Sequence, residues 1–231
     1  RDLPKFAEML RQLDGLGILT TFFMRDQRPE VKRLRAQLDE MVRAVDGFYE
    51  VLGPRNWIFH ESLQTEVGAE IASMAPDVAE ARLIKVYESP SLLDTMISQT
   101  RQVPALKPRQ ELIARAKRDF EAERYYSTVL LLITVMDGFV NDLEPKDRRG
   151  LHARDADEMV AWNSIVGHHL GLTRAHQTFK KGFYKTSDEE VFELYRNGIV
   201  HGTLTNFDNV VVAAKAWNRL FAVVDWAKSE I

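Results

Sequence analysis

The stretch Tyr195-Arg196-Asn197-Gly198-Ile199-Val200-His201-Gly202 sets a guanidinium, a carboxamide and an imidazole close together in the chain. On a helix Asn197 and His201 are four apart and share a face. Arg196 lies about 100° round the axis, and its side chain is long enough to swing back to that face. Such groups suit phosphodiester cleavage without a metal or cofactor. Arginine can fork onto non-bridging oxygens, histidine can move a proton near neutral pH, and Asn197 can orient either one. The same residues also have an ordinary reading, in which Arg196 makes a surface ion pair, Asn197 helps to end the helix and His201 caps its last carbonyls.

The pattern occurs twice. Arg55-Asn56-Trp57-Ile58-Phe59-His60 repeats it, and Asn56 would share a face with His60 if Pro54 opened a helix. Trp57, Ile58 and Phe59 are bulky and call for burial. A structural role for Arg55, Asn56 and His60 therefore competes with, and is favoured over, a contribution to the same cleft.

Just before the main motif, residues 171–186 carry Arg174, Lys180, Lys181 and Lys185 and no acid, interleaved with Phe179, Phe183 and Tyr184. Bases can stack on such rings while cations hold phosphates, so Arg174, Lys180, Lys181, Lys185 and Tyr184 are RNA-binding candidates. The alternative is that the rings are core and the lysines solvated. His168 and His169 are adjacent and diverge on a helix, and His176 returns to the face of His169. Capping or buried histidines explain them better than a metal site.

Helical periodicity must position these groups, because strand alternation is scarce. The pattern predicts helices over residues 3–13, from Pro29 to about Tyr49, from Pro54, over 76–87 and over 91–100; residues 18–24 suit either a strand or a buried helix. Pro104 and Pro108 suggest a boundary. A strongly helical stretch follows from Gln110 to Asp142, on which Asp119, Glu121, Glu123 and Arg124 read as a solvated face. An exposed loop is expected over 144–157, then helices over 156–166 and 173–182. Ser187-Asp188-Glu189-Glu190 reads as a capping box that starts a helix ending near His201, with Gly202 as its stop. Asn206 or Asp208 would cap a last helix carrying Val210, Ala214, Trp217, Leu220, Phe221 and Val224 inward.

The Arg-Asn-x-x-x-His string resembles the R-x(4–6)-H signature of HEPN ribonucleases, as found in abortive-infection and toxin proteins. The order of elements is similar too. A long helix ends in Thr134-Val135-Met136-Asp137-Gly138-Phe139, a variable middle follows, and then come the motif helix and a closing amphipathic helix. The resemblance covers about residues 106–231. It implies an all-α HEPN-like bundle, preceded by an N-terminal helical region over 1–105. It implies metal-independent RNA cleavage leaving a cyclic phosphate, in a toxin or antiphage-defence setting. It also implies a homodimer in which two motifs face one cleft, and a partner such as an antitoxin or regulatory protein. Arg196 would then stabilise the scissile phosphate, His201 serve as general acid or base, Asn197 position one of them, and Asp137 act as an acidic helper. Some HEPN domains have lost cleavage and serve as binding or dimerisation modules.

Composition sets the outer limits. The 231 residues allow one large domain or two small ones. With 31 Lys and Arg against 34 Asp and Glu, the chain is not a broadly basic nucleic-acid coat, though a local basic groove needs only a few residues. The absence of cysteine removes disulfides, thiolate metal sites and a cysteine nucleophile, and fits an expected cytoplasmic location. No apolar run reaches the roughly 18–20 residues of a membrane span, so no membrane partner is expected.

Overall fold

The computed structural model describes residues 28–143 and 172–228. The readings for 3–13, 18–24, 144–157 and 156–166, with His168 and His169, lie outside them. Among the described residues the fold is all-α, without a strand; its one β-like contact is an isolated bridge between Ser187 and Leu204.

Helix α1 (Pro29–Leu52) opens on proline, whose fixed φ and missing N–H suit the first turn. Ala44, Val45, Phe48, Tyr49 and Leu52 bury its second half. No helix begins at Pro54. Gly53–Arg55 is a single 3-10 turn that ends on Asn56 in the left-handed conformation, with φ 61°. Residues 57–60 then run non-helically through the core, so Asn56 and His60 do not share a helical face. Buried backbone groups need partners, and the last helix supplies them. Asn218 bonds both the N–H and the C=O of Ile58, at 3.0 and 2.8 Å, and Asp225 accepts the N–H of Glu61 at 2.6 Å.

Helix α2 (Thr65–Ala72) lies close against α1. A Cβ on Gly47 would stand 2.4 Å from that of Ala72. Helices α3 (Pro76–Glu88) and α4 (Pro90–Thr100) again open on proline. A 3-10 segment, Pro104–Arg109, leads into α5 (Gln110–Glu121), and α6 (Tyr125–Leu143) follows. The stretch expected to be continuous therefore breaks at 122–124. Glu123 takes φ 56°, its N–H bonds Phe120 O, and the N–H of Arg124 bonds Asp119 O. This is a Schellman closure with glutamate where glycine is usual.

Helices α7 (Leu172–Lys180), α8 (Arg196–Val200) and α9 (Val210–Lys228) complete the described chain. The capping-box reading at Ser187 fails, because residues 181–195 are not helical. Ser187 exchanges backbone bonds with Thr203 and Thr205, and the N–H of Val191 bonds Asn206 O. Glu190 bonds Asn209 instead of returning to Ser187. The cap of α9 is Asn209, whose Oδ1 accepts the N–H of Val212 at 3.0 Å. Asp208 accepts the N–H of Tyr126 at 3.0 Å and so caps α6, while the Tyr126 hydroxyl donates to Thr205 O at 2.9 Å.

Helix α9 packs on α6, α3 and α4. One apolar cluster runs from Val45 through Trp57, Leu106 and Phe139 to Trp217 and Val224, and so joins residues on both sides of position 105. None of the helices among the described residues is long and apolar enough to cross a membrane.

Candidate functional site

Helix α8 is a single short turn, and its flanks hold it in place. The Gly198 carbonyl accepts the N–H groups of Thr203 and Leu204, at 2.9 and 3.0 Å, folding the following turn back on the helix. A Cβ on Gly198 would meet Leu204 Cδ1 at 2.6 Å and Phe183 Cδ2 at 2.9 Å, so only glycine fits there unaltered. Gly202, with φ 68°, turns the chain after His201.

Arg196 reaches across to α6. Asp137 Oδ2 accepts from both its Nε, at 3.1 Å, and its Nη2, at 2.5 Å. Nη1 donates to Asn197 Oδ1 at 3.0 Å. The other end of that amide donates to Lys180 O at 3.3 Å, which ties the end of α7 to the motif and fixes the direction of the carboxamide. The Arg196 and Asp137 side chains are 12% and 19% exposed. Three of the five guanidinium N–H donors are engaged among the described residues, which leaves one on each terminal nitrogen for a further acceptor. Gly138, next to Asp137, lets the Arg109 side chain cross α6, since a Cβ there would lie 2.6 Å from Arg109 Nε. Arg109 then pairs with Asp142 at 2.7 Å.

His201 is the residue after α8, and its N–H bonds Asn197 O at 3.0 Å. It is exposed, and its imidazole makes no hydrogen bond among the described residues. The structure therefore brings Arg196, Asn197 and Asp137 into one bonded group, with His201 one helical turn away at the surface.

The second motif is dispersed. Arg55 pairs with Asp77 and Glu80 on α3, and those carboxylates hold its guanidinium's pKa above the usual value. His60 is fully buried, with Nε2 2.9 Å from the Tyr87 hydroxyl. Asn56 donates to Glu193 Oε2 at 2.7 Å. Glu193 was not legible as important. It accepts Lys215 Nζ at 3.0 Å in a pair whose side chains are 10% and 5% exposed, and its Oε1 accepts the N–H of Leu194. The charge hidden under residues 191–195 thus belongs to packing.

Of the RNA-binding candidates, Lys180, Lys181, Lys185 and Tyr184 are all exposed, Tyr184 completely. Lys181 Nζ lies 4.7 Å from the Tyr195 ring centroid and 5.3 Å from that of Phe183, a cation–π arrangement directly before Arg196. Arg174 lies on α7, and its side chain is outside the described set. Phe179 and His176 are core residues, and Arg219 packs its guanidinium 5.0 Å from the Phe179 ring. Among the described residues no three His, Asp or Glu side chains converge as a metal site.

Compared with protein-family models, with curated proteins and with solved structures, the chain has no match.

Proposed function

We propose that the chain is a HEPN-type, metal-independent endoribonuclease, with Arg196, Asn197 and His201 as its working residues. The observation that carries this reading is the arrangement of Arg196. It is held on two sides by Asp137 and Asn197, keeps two N–H donors unspent among the described residues, and precedes by five residues the exposed His201. Asp137 and Asn197 act as positioning residues, since they fix the guanidinium plane before any substrate arrives.

In this reading the two remaining donors of Arg196 bind the non-bridging oxygens of one phosphate. His201 takes the ribose 2′-hydroxyl proton, the 2′-oxygen attacks phosphorus, the bond to the 5′-oxygen breaks, and that oxygen takes a proton from water, whose hydroxide His201 then neutralises. The products are a 2′,3′-cyclic phosphate and a 5′-hydroxyl. Lys181, Lys185 and Tyr184 would hold the flanking strand. Pairing of two copies, a toxin or antiphage-defence setting, an antitoxin-like partner and a cytoplasmic location belong to the same proposal.

A second reading, a silent HEPN-like module that binds protein, nucleotide or RNA, draws on the low exposure of Arg196 and its ion pair. The deciding experiment is RNA cleavage in the presence of a chelator, with product ends analysed. Cyclic phosphate ends that vanish in folded His201→Ala support the nuclease. RNA binding without cleavage by the unmodified chain supports the silent module.

A further inference from the structure

A second group of arginines lies outside this site. Arg115 and Arg118 on α5, Arg124 after the 122–124 turn, and Asp119, Ser127 and Leu131 line a cleft of about 580 Å³. Three guanidinium groups therefore face one carboxylate, and that carboxylate is already fully used. Asp119 Oδ1 accepts Nε and Nη2 of Arg124, at 2.8 and 2.5 Å, and Oδ2 accepts the Ser127 hydroxyl. Arg124 is thereby fixed with Nη1 outside the pair. Among the described residues Arg118 pairs with the exposed Glu111, at 3.0 Å. Arg115 is exposed and makes no ion pair or hydrogen bond among the described residues. The backbone contributes as well, because the left-handed Glu123 folds Arg124 back over Asp119.

We infer that this cleft is a binding site for a phosphate group, held by Arg115, Arg118 and the preorganised Arg124. Asp119 pairs with Arg124 and the solvent-exposed Glu111 with Arg118, so the charge of Arg115 is left unpaired among the described residues, and guanidinium forks match phosphate oxygens. Among the described residues no aromatic ring lines the cleft, so they offer a base nothing to stack on and suit the phosphate alone. Leu131 is the apolar residue of this lining among the described residues. The inference does not depend on the reading of Arg196. The phosphate could belong to a small phosphorylated compound or to a nucleic-acid strand. The second source has a structural route, because Ser127 and Asp137 lie on the same helix about 15 Å apart at 1.5 Å per residue, with exposed Leu130 and Thr134 between them.

The test uses the full chain and the double substitution Arg115→Ala and Arg118→Ala, which removes two exposed side chains and leaves the Arg124–Asp119–Ser127 group intact. Inorganic pyrophosphate is titrated by calorimetry, and a 2′-O-methyl RNA oligonucleotide, which cannot be cleaved through its 2′-oxygen, is followed by fluorescence anisotropy. Charge-assisted contacts of this kind predict at least about tenfold weaker binding in the double variant. Loss for pyrophosphate identifies a small phosphorylated ligand. Loss confined to the oligonucleotide, with a salt dependence shallower by about 0.7 per phosphate contact removed, identifies a strand. Repeated in an Arg196→Ala background, the loss caused by the Arg115→Ala and Arg118→Ala pair is expected to persist, whether or not the protein cleaves RNA. Equal affinity of the unaltered and doubly substituted chains for both probes, or binding of neither probe by the unaltered chain, overturns the inference.

Discussion

Asp137 and Arg196 stand 59 positions apart, yet a single carboxylate oxygen of one receives two guanidinium nitrogens of the other. The pair joins the long central helix to the shortest helix in the described structure. It makes the direction of the Arg196 side chain a property of α6 as much as of the motif itself.

Asp137→Asn keeps the side chain's shape and removes its charge. The partly covered guanidinium is then left against a neutral amide. A loss of about 2 kcal/mol is expected, less than the roughly 3–5 kcal/mol seen when one partner of a fully buried pair is removed. Urea unfolding measures it. An unchanged midpoint and slope would show that the pair contributes nothing to holding α8.

Gly198→Ala and Gly202→Ala separate crowding from backbone strain. At Gly198 the added methyl would overlap Leu204 and Phe183, and overpacking of that kind costs about 1–3 kcal/mol. At Gly202 the space is open, but φ is 68°, so the expected cost is the left-handed penalty of about 1 kcal/mol. Thermal melts of the two variants should rank in that order, and the reverse order would mean that Leu204 yields easily.

Asp119 gives the clearest dependence on pH. The Ser127 hydroxyl and then the Arg124 guanidinium hold its carboxyl below the ordinary value near 3.8, against the opposing effect of burial. A carboxyl whose pKa is lower in the folded state stabilises that state above its unfolded value. The contribution disappears as the pH falls through the folded value. Asp119→Asn should therefore be less stable than the unaltered chain at neutral pH, and the gap should close in acid. Urea midpoints at several pH values test this, and a gap that persists below the depressed value would contradict it.

The helices opening at Pro29 and Pro76 could be read from the chain, since proline marks a first turn and apolar spacing does the rest, and the helix read over 91–100 opens one residue earlier, on Pro90. The same logic failed where distant partners decide the backbone. Ser187 and Glu190 have the residues of a capping box, but the Ser187 hydroxyl accepts the N–H of Glu189, its backbone pairs with Thr203 and Thr205, and Glu190 accepts from Asn209. Nothing local marks Glu123 as left-handed, so α5 and α6 read as one helix. The first copy of the Arg-Asn-x-x-x-His pattern looked helical, yet Asn218 and Asp225 bind the non-helical chain that follows its 3-10 turn. For the candidate site, the short spacing of Arg196, Asn197 and His201 was legible, and Asp137 was singled out through the family resemblance. The Lys180 carbonyl was not, because it comes from a neighbouring helix, and the grouping of Arg124 with Arg115 and Arg118 was not, because it depends on the unmarked left-handed turn at Glu123.

Tyr126 and Asp137 together turn α6 into a yardstick. At one mark it holds Arg196, where the motif begins; at another, about 16 Å away at 1.5 Å per residue, it holds Asp208 and Thr205, just after the motif ends. The intervening stretch is strung like a cord between two pegs on one rod. With both pegs in place the backbone between them is held at each end, so the reach of the His201 ring is set by rotation of its own side chain.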